Sequence, residues 1–132
     1  MPNNFNKLID FFVKKGFTVV KEEQSQSFGD YYFIISSPYF RVMVSSDKSY
    51  ESIDISSLLD GNNWYDMGLV KALILNEEVF NKALPIESAL GFFEEYFGEI
   101  KMLFDSKNYD ATKSKLEELR LKRAKQMFPQ WF

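Results

Sequence analysis

Three glutamates, Glu94, Glu95 and Glu99, have the residue type and spacing for acid–base or metal chemistry. On one predicted helix, such carboxylates could hold a magnesium ion or act as a catalytic acid and base. Glutamates on exposed helix faces are nevertheless the ordinary case, and we favour a solvated acidic face. A carboxylate-dependent enzyme is therefore the function that we favour least.

The composition argues against most other kinds of catalytic site. The 132 residues include no cysteine and no histidine, which removes thiolate nucleophiles, imidazole bases and the usual ligands of zinc, copper and iron. The chain also lacks the clustered glycines of a phosphate-binding loop. We therefore expect a protein that is not an enzyme, with no catalytic residue, no cofactor and no metal.

A loop is predicted at Leu58–Asp66, in which the polar run Asp60–Asn63 directly precedes Trp64, Tyr65 and Asp66. The polar run looks superficially like a calcium loop, but the spaced oxygen ligands and closing glutamate of an EF-hand are missing, which favours a plain turn. Large rings on a polar loop would be binding anchors if they were exposed. Trp64 could equally seal the sheet edge and start the next helix, and the sequence leaves both interpretations open.

The charges are distributed unevenly along the chain. Residues 1–100 carry a net charge of -7 and residues 101–132 a net charge of +4. The acidic part argues against nucleic-acid binding, which depends on Lys and Arg contacts to phosphate, and suits a basic partner. The basic residues of the last predicted helix are interrupted by Glu117 and Glu118, and we interpret them as a solvated face.

Hydrophobic periodicity predicts the elements that must position these residues. A helix at Phe5–Val13, with Asn3 or Asn4 as its N-cap, precedes four strands near 17–24, 30–36, 39–46 and 50–56. A short helix ending near Asn76, an apolar helical segment from Pro85 and a last helix at about Tyr109–Met127 follow. Within the apolar segment after Pro85, Gly91 and Gly98 either admit a close neighbour or break the helix in two. We predict an α+β fold with an N-terminal helix, a four-stranded antiparallel sheet and three or four C-terminal helices packed mainly on one face.

Two short loops predict the strand register. A two-residue turn at Ser37-Pro38 places Ile35 opposite Phe40, and a four-residue loop at 46–49 places Arg41 opposite Asp54. The predicted core face then collects Tyr31, Phe33, Ile35, Phe40, Val42, Val44, Ile53 and Ile55. The other face shows Tyr32, Ile34, Arg41, Met43, Ser52 and Asp54. This second face is too apolar for plain solvent exposure, so either a partner, the last helix or a second subunit is expected to cover it.

The length of the chain and its hydrophobic content of 45% predict one domain spanning residues 1–132. The start lacks the order of features of a signal peptide, and no apolar run is long enough to cross a membrane, which favours a cytoplasmic protein.

The aromatic end at Trp131-Phe132 is either docked on the domain or an oligomerisation hook. Its lack of charge favours docking, and a monomer and a homodimer both remain open.

The order of elements resembles that of small bacterial immunity proteins of polymorphic toxin systems, which neutralise toxins delivered between cells. The resemblance covers residues 5–105 and rests on the general character of the elements. These are a helix ending at Lys15-Gly16-Phe17, aromatic strands at Tyr31–Ile35 and Tyr39–Val44, Ile53-Asp54-Ile55, and Trp64 before the helices. The resemblance implies a binder that blocks a partner toxin, and the acidic charge suits a basic nuclease toxin.

We predict that the partner contacts Tyr32, Arg41, Met43, Asp54, Asp60, Trp64, Tyr65 and Asp66. A self-associating structural or adaptor domain is the alternative.

Overall fold

The computed structural model describes residues 5–24, 30–48 and 50–132. The elements follow the order α1 (Phe5–Val13), β1 (Thr18–Gln24), β2 (Tyr31–Ser36), β3 (Phe40–Asp47), β4 (Tyr50–Ser57), β5 (Tyr65–Asp66), α2 (Met67–Leu75), α3 (Ile86–Glu95), α4 (Phe97–Leu103) and α5 (Tyr109–Met127), with a 3-10 turn at Pro129–Trp131. The predicted α+β class is confirmed. The predicted N-cap at Asn3 or Asn4 lies outside the described residues.

The sheet is antiparallel and has five strands in the order β1-β2-β3-β4-β5. The prediction of four strands is corrected by β5, which pairs Asp54 with Asp66 and Ile55 with Tyr65. The sequence placed these two residues in a loop, because a strand of two residues has no alternation to reveal it.

The predicted register is wrong by two residues at both hairpins. Ile35 pairs with Val42, and Asp54 pairs with Met43 instead of Arg41. The first turn is centred on Pro38-Tyr39, where the Ser37 amide donates to the Phe40 carbonyl at 3.1 Å. Proline is favoured at the first central position of such a turn. At the second hairpin, Asp47 pairs with Tyr50, which makes that loop shorter than predicted.

A shift of two residues keeps each side chain on its predicted face, because the strand period is two. All eight residues of the predicted core face are buried. Helices α1, α2 and α3 contact the sheet, as the segregated order of strands and helices predicted.

Aromatic rings connect the helices to the sheet. The Phe93 ring of α3 lies 5.2 Å from Phe12 of α1, 6.0 Å from Phe40 of β3 and 5.3 Å from Phe97 of α4, measured between ring centroids. We call Phe12, Phe17, Phe40, Phe93 and Phe97 the ring cluster. Buried rings of this size contribute strongly to the stability of a core.

The apolar segment after Pro85 is broken at Tyr96, which separates α3 from α4. Of the two interpretations of the glycines, the close neighbour is wrong, since a Cβ atom at Gly91 or Gly98 would meet nothing within 4 Å. The break lies at neither glycine. It divides the three predicted carboxylates, so the prediction that they share one helix is also wrong.

The last helix has the predicted bounds, but the aromatic end does not dock. Trp131 is 70% exposed and Phe132 is 63% exposed. Trp131 stacks on Phe128 with ring centroids 4.6 Å apart, so these rings bury part of their surface against each other and not against the core.

Within residues 5–24, 30–48 and 50–132, the helices lack the combined length and apolar character that crossing a bilayer requires.

Candidate protein-binding surface

The second face of the sheet remains accessible in its middle. Its side chains alternate with those of the core and are partly exposed, so the last helix does not seal it. Lys21 of β1 places its ammonium 5.6 Å from the centroid of the Tyr32 ring, and Ser45 and Ser52 share a 3.0 Å hydrogen bond. We name this surface the open face and define it by Tyr32, Ile34, Met43, Ser52 and Asp54.

Arg41 lies at the same side of the sheet but is engaged within the protein. Its Nη2 atom donates to the Gly61 carbonyl at 2.9 Å, and its guanidinium lies 5.4 Å from the Trp64 ring centroid. A Cβ atom at position 61 would lie 2.0 Å from Nη2, so a side chain there would displace the end of Arg41 from this position. Arg41 therefore fixes the loop after β4, and a partner could reach only what remains exposed of it.

Asp60 organises the same loop. Its carboxylate accepts hydrogen bonds from the Tyr109 hydroxyl at 2.6 Å and from the Asn63 amide at 2.8 Å, and it pairs with Lys113 at 3.0 Å. The bond from Tyr109, followed by those from Lys113 and Asn63, lowers the pKa of Asp60 to about 2. Asp60 therefore connects the loop to α5 and has a structural role in the turn.

The two rings after the loop have different surroundings. Tyr65 is fully buried and donates its hydroxyl to Glu117 at 2.6 Å; burial and this bond raise its pKa to about 12. Trp64 is partly exposed beneath Arg41, and its carbonyl accepts from Arg120 at 2.8 Å. Of this pair, Trp64 is therefore the ring with surface to offer a partner.

Asp54 and Asp66 are partners in the backbone register of β4 and β5, but only the carboxylate of Asp66 receives hydrogen bonds that compensate its charge. Asp66 accepts two hydrogen bonds from Arg123, at 2.8 and 2.7 Å, and one from the Leu69 amide at 3.3 Å, which caps α2. Asp54 accepts no hydrogen bond from the part of the chain that the structure describes. Burial, and then the charge of Asp66, raise its pKa to about 6, against the opposing effect of Arg123 and Arg120.

Sequence reasoning missed the role of α5 in holding this region. One face of the helix supplies Tyr109, Lys113, Glu117, Arg120 and Arg123, which contact residues 60–66. Their spacing of three or four residues, which places side chains on one helix face, was a signal in the sequence. The basic residues of this face are thus partly internal contacts and not only a solvated surface.

The three glutamates do not converge. Glu94 is exposed and lies 3.6 Å from Lys15, while Glu95 and Glu99 are exposed on either side of the break at Tyr96. Among the described residues, no group of three or more acidic side chains is arranged to hold a metal ion.

A groove of about 350 Å³ borders the open face where β5 ends. One wall is the edge of β4, and the other is formed by residues 81–84 and the end of α5. The residues that matter for its chemistry are Tyr50, Asp54, Asp66, Lys82, Arg123 and Met127.

Comparisons with protein-family models, with curated proteins and with solved structures found no match to this chain.

Proposed function

We propose that this protein is a non-catalytic protein-binding module whose partner docks on the open face, and that the partner is a toxin which it neutralises. The observation that supports this most is the partly exposed, mixed surface of the open face, with Tyr32, Ile34 and Met43 beside the charge of Asp54. Aromatic residues and methionine are enriched in protein interfaces, and a wet sheet face is usually more polar than this one.

The charge of the chain supports a basic partner. Residues 1–100 carry a net charge of -7, and all five strands belong to this part. Opposite charge on a partner would speed encounter and disfavour acidic competitors. The resemblance to immunity proteins adds the toxin and the bacterial cytoplasm to the proposal, and a monomer and a homodimer both remain open.

The test is capture of a partner by tagged protein from a lysate of the native cell, with one variant on the open face and one elsewhere. Met43→Glu places a charge in the middle of the open face. Met102→Glu makes the same change on α4, where Met102 is 64% exposed. We expect the wild type and Met102→Glu to capture the same basic protein and Met43→Glu to lose it.

The toxin part of the proposal has its own readout. The captured protein, expressed alone, is expected to arrest growth, and co-expression of this chain should restore it. Restoration by Met102→Glu but not by Met43→Glu would link neutralisation to the open face. Capture that is equal for both variants would overturn the proposed surface, and a captured protein that is harmless would overturn the toxin.

Self-association through the open face is the second candidate, and it rests on the same apolar side chains. Sedimentation at high protein concentration separates the two. A monomer would remove self-association, whereas a dimer that Met43→Glu dissociates would support it against the toxin-binding proposal.

A further inference from the structure

The groove beside β4 exists because β5 is so short. β5 pairs only with Asp54 and Ile55, so Tyr50, Ser52 and Ile53 border the groove instead of a neighbouring strand. The groove opens next to the open face, since Ser52 and Asp54 belong to both. A partner seated on the open face can therefore reach into it.

Asp54 is the carboxylate of this groove that accepts no hydrogen bond from the described residues. The neighbouring carboxylate of Asp66 is occupied by both terminal nitrogens of Arg123. The Asp54 side chain is partly exposed, but desolvation by the surrounding protein still raises its pKa. A desolvated carboxylate without a donor favours an incoming cation.

The walls of the groove suit a long side chain with a cationic end. Tyr50 is 59% exposed and Met127 is 47% exposed, and both line the groove together with Leu84 and Ala89. These apolar surfaces can contact the methylene stem of a long side chain, and the Tyr50 ring can stack on a planar cation. Lys82 lines the groove too, but the cations that act on the Asp54 pKa are Arg123 and Arg120.

We propose that the groove receives an arginine side chain of the protein partner, with its guanidinium on the Asp54 carboxylate and its stem along Tyr50 and Met127. The planar guanidinium can donate two parallel hydrogen bonds to one carboxylate and stack on an aromatic ring, which an ammonium does less well. This inference rests on the proposed function, because it names the group of the basic partner that the site recognises.

The test needs no partner and uses N-acetyl-arginine amide as the probe. Titration of the ¹⁵N-labelled protein at pH 7.5 is expected to shift the amide signals of Tyr50, Asp54 and Met127. N-acetyl-citrulline amide, which is nearly isosteric but uncharged, is expected to shift them little. The lysine analogue is expected to bind more weakly than the arginine compound.

Two variants locate the contact. Asp54→Asn should weaken binding of the probe about tenfold, since it removes the charge of the acceptor. Asp47→Asn, at an exposed position at the end of β3, should leave binding unchanged. A dispersed amide spectrum shows that each variant is folded. Lys82→Gln removes a cation from the lining and is expected to tighten binding about twofold.

Shifts that are absent, that survive Asp54→Asn, or that citrulline reproduces would overturn the inference, and equal binding of lysine would overturn the choice of arginine. The outcome is separable from that of the proposed function. Binding of the probe at Asp54 without capture of a toxin would retain the groove and remove the toxin, whereas capture of a toxin without binding of the probe would do the reverse.

Discussion

At the scale of single residues, the surroundings of two aspartates set their pKa values in opposite directions. Asp60 accepts hydrogen bonds from three side chains and its pKa is lowered to about 2, with the Tyr109 bond as the largest cause. Asp54 lies half-buried beside Asp66 and its pKa is raised to about 6, with desolvation as the largest cause. An ionised aspartate therefore stabilises the folded state at position 60 and destabilises it at position 54.

Asp54→Asn is expected to stabilise the protein at neutral pH. Between pH 4 and pH 6 the folded state keeps a proton on Asp54 that the unfolded state has lost, so stability falls as the pH rises through this range. Asparagine has no such loss, and we expect a gain of about 1 to 2 kcal/mol in the free energy of unfolding at pH 7.5.

Urea denaturation at pH 7.5 and at pH 4 checks this prediction for Asp54. The difference between the variant and the wild type should shrink at pH 4, where the wild-type carboxyl group is protonated in the folded state. An Asn variant that is less stable than the wild type at pH 7.5 would contradict it.

Tyr109→Phe is expected to raise the pKa of Asp60 towards its ordinary value, because it removes the strongest hydrogen bond to that carboxylate. The lowered pKa stabilises the wild type above the unfolded value near 4, and this contribution is lost as the pH falls towards 2. A ¹³C-detected pH titration of the Asp60 carboxyl group gives the value directly. Tyr39→Phe, at an exposed position, should leave it unchanged.

At the scale of elements, α5 is held along its length, whereas the aromatic end that follows it is not. Tyr109 and Leu116 are buried, and Gln126 in the last turn accepts a hydrogen bond from the Phe80 amide at 3.0 Å, whereas Trp131 is 70% exposed. We expect Leu116→Ala to lower the free energy of unfolding by about 2 to 5 kcal/mol. Trp131→Ala should change it by less than about 0.5 kcal/mol. Urea denaturation of both variants measures this, and a large cost at Trp131 would show that the aromatic end packs on the domain in solution.

The elements were predictable where a pattern extends over several residues. The alternation in β2 and β3 identified the core face, and the periodicity of Phe5–Val13 and the charged run after Tyr109 gave α1 and α5 their bounds. The register was mispredicted because the turn was placed at Ser37-Pro38, which puts proline at the second central position, where it is disfavoured. A shift of two residues leaves the faces the same, so the alternation of the strands did not reveal the error. Tyr65–Asp66 is too short to carry a pattern.

The location of the candidate site was predictable from the sequence, but the contacts of its residues were not. Its position on the face of the sheet opposite the core followed from the alternation of Tyr32, Ile34 and Met43. The contacts of Arg41 with Gly61 and of Arg123 with Asp66 join residues 20 and 57 positions apart. Periodicity in one segment holds no information on such distant pairs. Structure was therefore needed to separate the structural residues of the predicted set from those with surface to offer.

At the scale of the whole molecule, the acidic and the basic residues belong to different parts of the chain. The strands and the acidic charge belong to residues 1–100, while the basic α5 directs part of its charge inward to Asp60 and Asp66. The open face therefore lies in the acidic part of the chain, where Lys21 borders it at the Tyr32 ring. A basic partner would meet the net acidic charge of this part of the chain, which Arg123 and Arg120 of α5 offset only in part at Asp54.

The ring cluster predicts that the chain unfolds as one domain. Phe93 contacts rings of α1, β3 and α4, whereas Trp64 lies outside the cluster beneath Arg41. If one cooperative unit includes both, Phe93→Ala should lower the free energy of unfolding by about 3 to 5 kcal/mol and move every transition together. With Trp131→Phe as background, Trp64 fluorescence and far-ultraviolet circular dichroism are expected to share one urea midpoint before and after the substitution. Two separate midpoints would divide the chain into units and contradict the single domain, because the region around Trp64 would then be stable without the rings.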